Sequence, residues 1–105
     1  MTLAAGTLDA PIRLAIAQKR LIEVTYKGRV RVAEPHDYGR QGGRDRLLVY
    51  QISDRGESGA AAVGWRLLDI AQIEALTVLD RPFPGSRGSS HRVHKAWDEV
   101  YARVR

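Results

Sequence analysis

The sequence predicts a mostly β chain with a helix at each end: an α+β fold around a small, strongly bent antiparallel barrel. Three observations lead there. Five short segments are rich in β-branched residues or alternate in polarity, at 21–26, 29–32, 46–52, 65–70 and 75–79. Glycine-containing turn signals separate the first three, at Lys27-Gly28 and again at Gly42-Gly43. Helical spacing of apolar residues occurs only near the two ends. With 105 residues, the chain reads as one domain, 1–105, with its barrel core over 21–80 and a C-terminal helix over 90–104.

Each element has its own signal. Asp9 is a natural helix cap, and Pro11 in a first turn would cost no hydrogen bond. Ile12, Ala15, Ile16 and Lys19 then share a face, so a helix is expected over 10–20. In LIEVTY, Ile22, Val24 and Tyr26 point one way, and Val30 and Val32 alternate with Arg29 and Arg31 beyond the turn. Pro35 lacks an N–H donor and should end ladder pairing there. Gly39, Gly42 and Gly43 make the next loop, and RLLVYQI is the third strand. DRGESGAAAVG, 54–64, reads as a polar, mobile loop, and 71–74 as a short turn between the fourth and fifth strands. RPFPGSRGSS is irregular. Ser90 is the expected cap of the last helix, whose stripe is Val93, Trp97, Val100, Tyr101 and Val104.

Composition narrows the function classes. No cysteine occurs, which excludes disulfides, thiolate nucleophiles and cysteine-ligated metals and fits the cytoplasm. No apolar run approaches membrane-spanning length, so no membrane partner is expected. The first twenty residues lack a basic stretch ahead of their apolar part, unlike a signal peptide. The net charge is +5, and arginine supplies fourteen of the seventeen basic residues. A guanidinium fork bonds phosphate and carboxylate bidentately, so the balance leans toward anionic partners.

Catalytic and metal constellations read weakly. His36 and Asp37 are neighbours, and neighbours on a strand face opposite ways, so they make a poor base and orienter. No Ser–His–Asp arrangement is legible, and no catalytic residue is expected. His91, His94 and Asp98 would line one face of the last helix, but as a solvated face rather than a metal site. GRQGGRD lacks the Gly-Lys-Ser/Thr ending of a P-loop, although Arg40 and Arg44 beside free glycine N–H groups suit a phosphate clamp. The best-furnished stretch is YKGRVRVAEPHDYG. Arg29 and Arg31 share a strand face, with Tyr26, His36 and Tyr38 close by. Basic groups interleaved with flat rings make a surface for single-stranded nucleic acid or a nucleotide. Trp65 and Arg66 add a further ring and a further guanidinium.

The order of these pieces resembles the WYL domain over roughly 11–83. IRLAIAQKRLIEVTY is a helix running into a strand that ends in tyrosine, and RVAEP is similar to the family's Arg-x-x-x-Pro strand end. RLLVYQ stands where the family has Trp-Tyr-Leu, and WRLLDI resembles its Phe-Arg-Leu-Asp-Arg-Ile strand. The resemblance implies an Sm/SH3-like barrel, a ligand-sensing and regulatory role, and ligands of the nucleic-acid or nucleotide class. It implies a site at Tyr26, Arg31 and Arg66. The namesake triplet is Arg46-Leu47-Leu48 here, and Asp69 replaces a basic residue of the fourth strand. Twenty residues ahead of the first strand are too few for a helix-turn-helix, so regulation would act through a separate chain.

The expectation is therefore a non-enzymatic binding module without cofactor or metal. Its ligand-binding residues are Tyr26, Arg31, His36, Tyr38, Trp65 and Arg66. The alternative is a protein–protein module that forms a homodimer, or docks a regulatory partner, through the Trp97 stripe of the C-terminal helix.

Overall fold

The computed structural model describes residues 5–54, 62–92 and 97–105. Helix α1, Ala5–Gln18, leads into the strands β1, Arg20–Tyr26, β2, Arg29–Gln41, β3, Arg44–Asp54, and β4, Gly64–Asp69. A 3-10 turn, Ile70–Gln72, joins β4 to β5, Ile73–Pro82. Helix α2, described over Ser89–Arg92, precedes β6, Glu99–Arg103. The fold is α+β, and no described helix is long and apolar enough to cross a membrane.

Helix α1 starts earlier than the sequence predicts. Pro11 lies inside it rather than in its first turn. Asp9 is not the cap; it pairs with Arg13 one turn on and accepts the Tyr38 hydroxyl at 2.8 Å. The helix ends where Lys19 enters the left-handed region at φ 53. Leu8, Ile12, Ala15 and Ile16 form its buried face.

All six strands belong to one antiparallel sheet. Its main path runs β4-β3-β2-β1-β5, and β6 pairs with β2. Lys27 and Gly28 both have positive φ, the geometry of a tight hairpin turn, and set Tyr26 against Arg29. Residues 55–61, within the segment read as a mobile loop, lie outside the described residues. The edge strands β4 and β5 lie at opposite ends of the path, yet only three residues link them. Flat, the four strand spacings would separate the edges by about 19 Å. A 3-10 link of this length spans about 8 Å. The sheet must therefore curl until these ends meet. It is not closed, for no β4–β5 ladder exists among the described residues. Tyr26 fastens this end. Its hydroxyl accepts from the Asp69 N–H at 3.1 Å and donates to Gln72 Oε1 at 3.2 Å. Ile22, Val24, Leu47, Val49, Leu68, Ile70 and Ile73 fill the inside of the curl.

Two expectations fail along β2. Pro35 does not end pairing: it sits opposite Val49, beside a bulge between Pro35 and Asp37. A bulge is where strands accept proline. The interval between Ala33 and Asp37 is also where neither β1 nor β6 pairs with β2. Gly39, read as part of a loop, lies within β2.

The C-terminal helix over 90–104 is also overturned. Among the described residues helix α2 covers Ser89–Arg92, and Glu99–Arg103 is strand β6, paired with β2 from Asp37 to Arg40. Val93 lies outside the described residues. Unpaired backbone explains the outcome: β1 leaves β2 at Ala33, and an open ladder edge recruits an extended segment. Gly39 permits the close approach. A Cβ there would run into the Glu99 carbonyl oxygen and lie 3.0 Å from Val100 Cα and 3.1 Å from the Trp97 ring. Gly39→Ala should therefore cost about 1–3 kcal/mol in urea unfolding. It should also speed amide exchange in β6 more than in β1. Unchanged stability and exchange would mean that β6 is not held there.

Candidate ligand-binding site

The predicted site residues divide between two faces of the sheet. Opposed pairs Val24–Arg31, Ala33–Gln51 and Val49–Arg66 place Arg31, Gln51 and Arg66 on the inner face. The Arg31 side chain is only 13% exposed, so most of its guanidinium is removed from water. It lies 5.4 Å from the centre of the Tyr26 ring. Nη1 donates to Gln51 Oε1 at 3.4 Å and Nη2 to the Tyr26 carbonyl at 3.5 Å, both long contacts. Asp54 Oδ2 stands 3.9 Å from Nε, which has no hydrogen-bond partner. Gln51 is held through its amide, which donates to the Ala62 carbonyl at 2.8 Å. Arg66 donates to the Trp65 carbonyl at 3.1 Å.

His36 and Trp65 meet elsewhere, on the outer face of β2, β3 and β4. Opposed pairs Glu34–Tyr50 and Tyr50–Trp65 define that face. The chain between β5 and β6 crosses it. Arg87 lies 3.6 Å over the Tyr50 ring and bonds both oxygens of Glu34, at 2.8 and 3.1 Å. His36 is fully buried, edge-on to Trp65 at 4.8 Å and to His91 at 4.7 Å. Its Nδ1–H donates to the Glu34 carbonyl at 2.9 Å, which leaves Nε2 without a partner. Burial pushes its pKa below the usual histidine range, against the opposing pull of that carbonyl. Trp65 donates its indole N–H to Ser90 Oγ at 2.7 Å.

The same covering segment assembles a chain of polar groups that contradicts the expectation that no Ser–His–Asp arrangement exists. Ser86 Oγ lies 2.8 Å from His91 Nδ1, and His91 Nε2 lies 2.7 Å from Asp37 Oδ1. Arg103 bonds the same carboxylate at 2.9 and 3.4 Å. His91 is therefore buried and bonded, not part of a solvated helix face. His94 lies outside the described residues, and Asp98 accepts from the Gly42 N–H at 2.9 Å. No group of three or more metal-ligating side chains occurs among the described residues.

Tyr38 stands apart from both clusters, buried beside α1. Burial, then the bond to Asp9, pushes its hydroxyl far above the usual tyrosine range. That same hydroxyl chiefly lowers the pKa of Asp9. The glycine loop is not an open clamp either. Arg40 pairs with Glu99 at 3.6 Å and Arg44 with Asp69 at 3.0 Å. A cavity of about 250 Å³ lies beside Arg44, lined also by Asp45, Asp69, Ile70 and Ala71, and none of the predicted ligand-binding residues lines it.

No protein-family model matches this chain, and neither a curated protein nor a solved structure does. The site is thus described by its own geometry. Sequence reasoning missed Gln51, although its signal was present: it follows Leu47 and Val49 on the buried phase of β3. Arg87 and His91 carried no local signal, because their partners Glu34 and Asp37 lie on β2, 53 and 54 residues away, and Ser86 joins them through His91, which that distant contact positions.

The His36 shift has a pH consequence. Its folded pKa is depressed, so the stability it contributes is full above about pH 6.5 and falls as pH drops toward the folded value. Urea midpoints measured at about pH 7 and about pH 5 should fall more in the wild-type chain than in His36→Phe. Equal drops would show that His36 is not held neutral.

Proposed function

We propose that this chain is a ligand-binding, regulatory module of the WYL type, and that its inner-face arginines take the phosphate of a nucleotide or of single-stranded nucleic acid. One observation carries the reading: Arg31 is largely covered, and its Nε has no hydrogen-bond acceptor. A buried guanidinium that is under-bonded invites an anion with a matching fork. Arg66 on the same face offers a second guanidinium, and the Gln51 side chain lies between their strands on β3. Tyr26 serves as the floor under Arg31 rather than as a hydroxyl donor to ligand. His36, Tyr38 and Trp65 fall away from this site and act structurally.

The fold supports the same reading. A helix followed by five antiparallel strands, with the edge strands joined by one 3-10 turn, suits the Sm/SH3-like barrel that the resemblance implies. A cytoplasmic setting, with no cysteine in the chain, belongs to the same proposal. The docking alternative loses its element, since the Trp97 stripe is not a helical face and β6 is engaged with β2.

Fluorescence anisotropy with a short labelled single-stranded DNA tests the proposal. Affinity should fall steeply as salt rises, because phosphate neutralisation releases counterions. Arg66→Gln should weaken binding about tenfold, the effect of losing one charge-assisted bond. Arg31→Lys, which keeps the charge but loses the fork, should weaken it similarly. Binding that both variants retain in full would move the site to bulk surface charge, and absence of binding by the wild-type chain would refute the nucleic-acid class.

A further inference from the structure

The outer face carries a second arrangement, independent of the arginine site. Ser86 is exposed, whereas the His91 and Asp37 behind it are buried. The Asp37 carboxylate can only accept, so His91 Nε2 carries the proton toward it at 2.7 Å. That assignment leaves a lone pair on His91 Nδ1, facing the Ser86 hydroxyl at 2.8 Å. The Gly88 N–H donates to Ser86 Oγ at 3.2 Å and turns the hydroxyl proton toward the imidazole. Nucleophile, base and orienter thus stand in hydrogen-bond series, the relation that defines a hydrolytic triad whatever the order in the chain. The ring is used in the opposite sense to the common triad, with Nδ1 toward the serine and Nε2 toward the carboxylate; either nitrogen serves as a base once the other is tied.

Two further features suit the chemistry. Ser86 lies in the turn between strand β5 and helix α2. The N–H of Arg87, the residue after the serine, makes no hydrogen bond to the described residues, and that position commonly supplies an oxyanion donor. Arg103 shares the Asp37 carboxylate and fixes it in place.

We propose that Ser86 is an activated nucleophile toward small acyl esters, with His91 as its base and Asp37 as the positioning residue. Ser86 Oγ attacks the ester carbonyl as its proton passes to His91 Nδ1. Collapse of the tetrahedral adduct breaks the acyl–oxygen bond, and the proton leaves with the departing alcohol. Water then attacks the acyl-serine, gives a proton to Nδ1, and the carboxylic acid departs as Ser86 regains its proton. Each turnover consumes one ester and one water and needs no other reactant. The exposed position of Ser86 leaves its hydroxyl open to small, reactive esters.

The test treats the full chain with a fluorophosphonate probe and follows hydrolysis of p-nitrophenyl acetate. The expected result is a single phosphonyl adduct on the peptide holding Ser86, and ester hydrolysis about a hundredfold faster than in Ser86→Ala, the scale of general base assistance. Equal hydrolysis by the two chains, or adducts at Ser89 or Ser90 instead, would overturn the proposal. Ser86→Cys gives an independent reading in a chain with no other thiol. Its alkylation by iodoacetamide at neutral pH should run about tenfold faster than that of a free cysteine, because a paired histidine favours the thiolate. Alkylation at the free-thiol rate would show that His91 does not act as a base.

Discussion

Strand β2 has two edges and three partners, and most of the architecture follows from that constraint. β3 holds one edge from Arg31 to Gln41. β1 holds the other only as far as Ala33, because β1 begins at Arg20, just after helix α1, two residues before Ile22, the partner of Ala33. Backbone donors and acceptors from Asp37 onward would otherwise stay unpaired, and an unpaired buried amide costs about as much as a lost hydrogen bond. β6 supplies the missing ladder, and the Val104 N–H extends it to the His36 carbonyl at 2.8 Å. To reach that edge from the end of β5, the chain has to cross the outer face. In doing so it lays Phe83, Arg87 and His91 against Glu34, Tyr50, His36 and Asp37. The outer cluster is thus a product of where β2 needed a partner.

Charge pairing governs how the basic composition should be read. The net charge of +5 suggests a broad positive surface, but many of the arginines face carboxylates of the same chain. Glu34 and Asp37 are buried and hold Arg87 and Arg103. Asp54, 2% exposed at its side chain, draws Arg29 to 3.6 Å and Arg31 to 3.9 Å. Removing the arginine from such a pair leaves a buried carboxylate short of its partner, while water screens the half-exposed guanidiniums of Arg87 and Arg103. The exposed Arg13–Asp9 and Arg40–Glu99 pairs are worth far less, since water screens them. Bulk charge therefore says little about ligand. Bonding quality says more: Arg87 makes two short bonds to Glu34, whereas Arg31 makes only long ones and leaves Nε bare.

The readable parts of the fold were those with a local cause. Lys27-Gly28 announced its hairpin, and the alternation over 21–26 and the apolar run 46–52 fall within strands that exist, β1 and β3. The C-terminal segment was illegible because its spacing serves two periods. Val100, Tyr101 and Val104 fit a helical stripe, while EVYAR also alternates, and only the free edge of β2 decides between them. The site suffered from a similar ambiguity. Alternation separates His36 from Asp37, but the bulge beside Pro35 cancels it, so that His91 touches both. No pattern in a single strand reports a bulge that a proline and a missing neighbour jointly create.

The resemblance that pointed to Tyr26, Arg31 and Arg66 selects residues of one face, but the chemistry left at each is unequal. The Tyr26 hydroxyl already spans Asp69 and Gln72 across the seam of the sheet, and Arg31 and Lys27 lie over its ring at 5.4 and 5.6 Å. Neither its polar tip nor its ring is open to a base. Leu47, where the family's triplet has an aromatic residue, is fully buried in the core. Stacking is thus withdrawn from this face, while the guanidinium fork and the polar Gln51 remain. The polar groups left on this face suit an anionic group far better than a base, because discrimination follows the polar groups that a wrong ligand would leave unpaired.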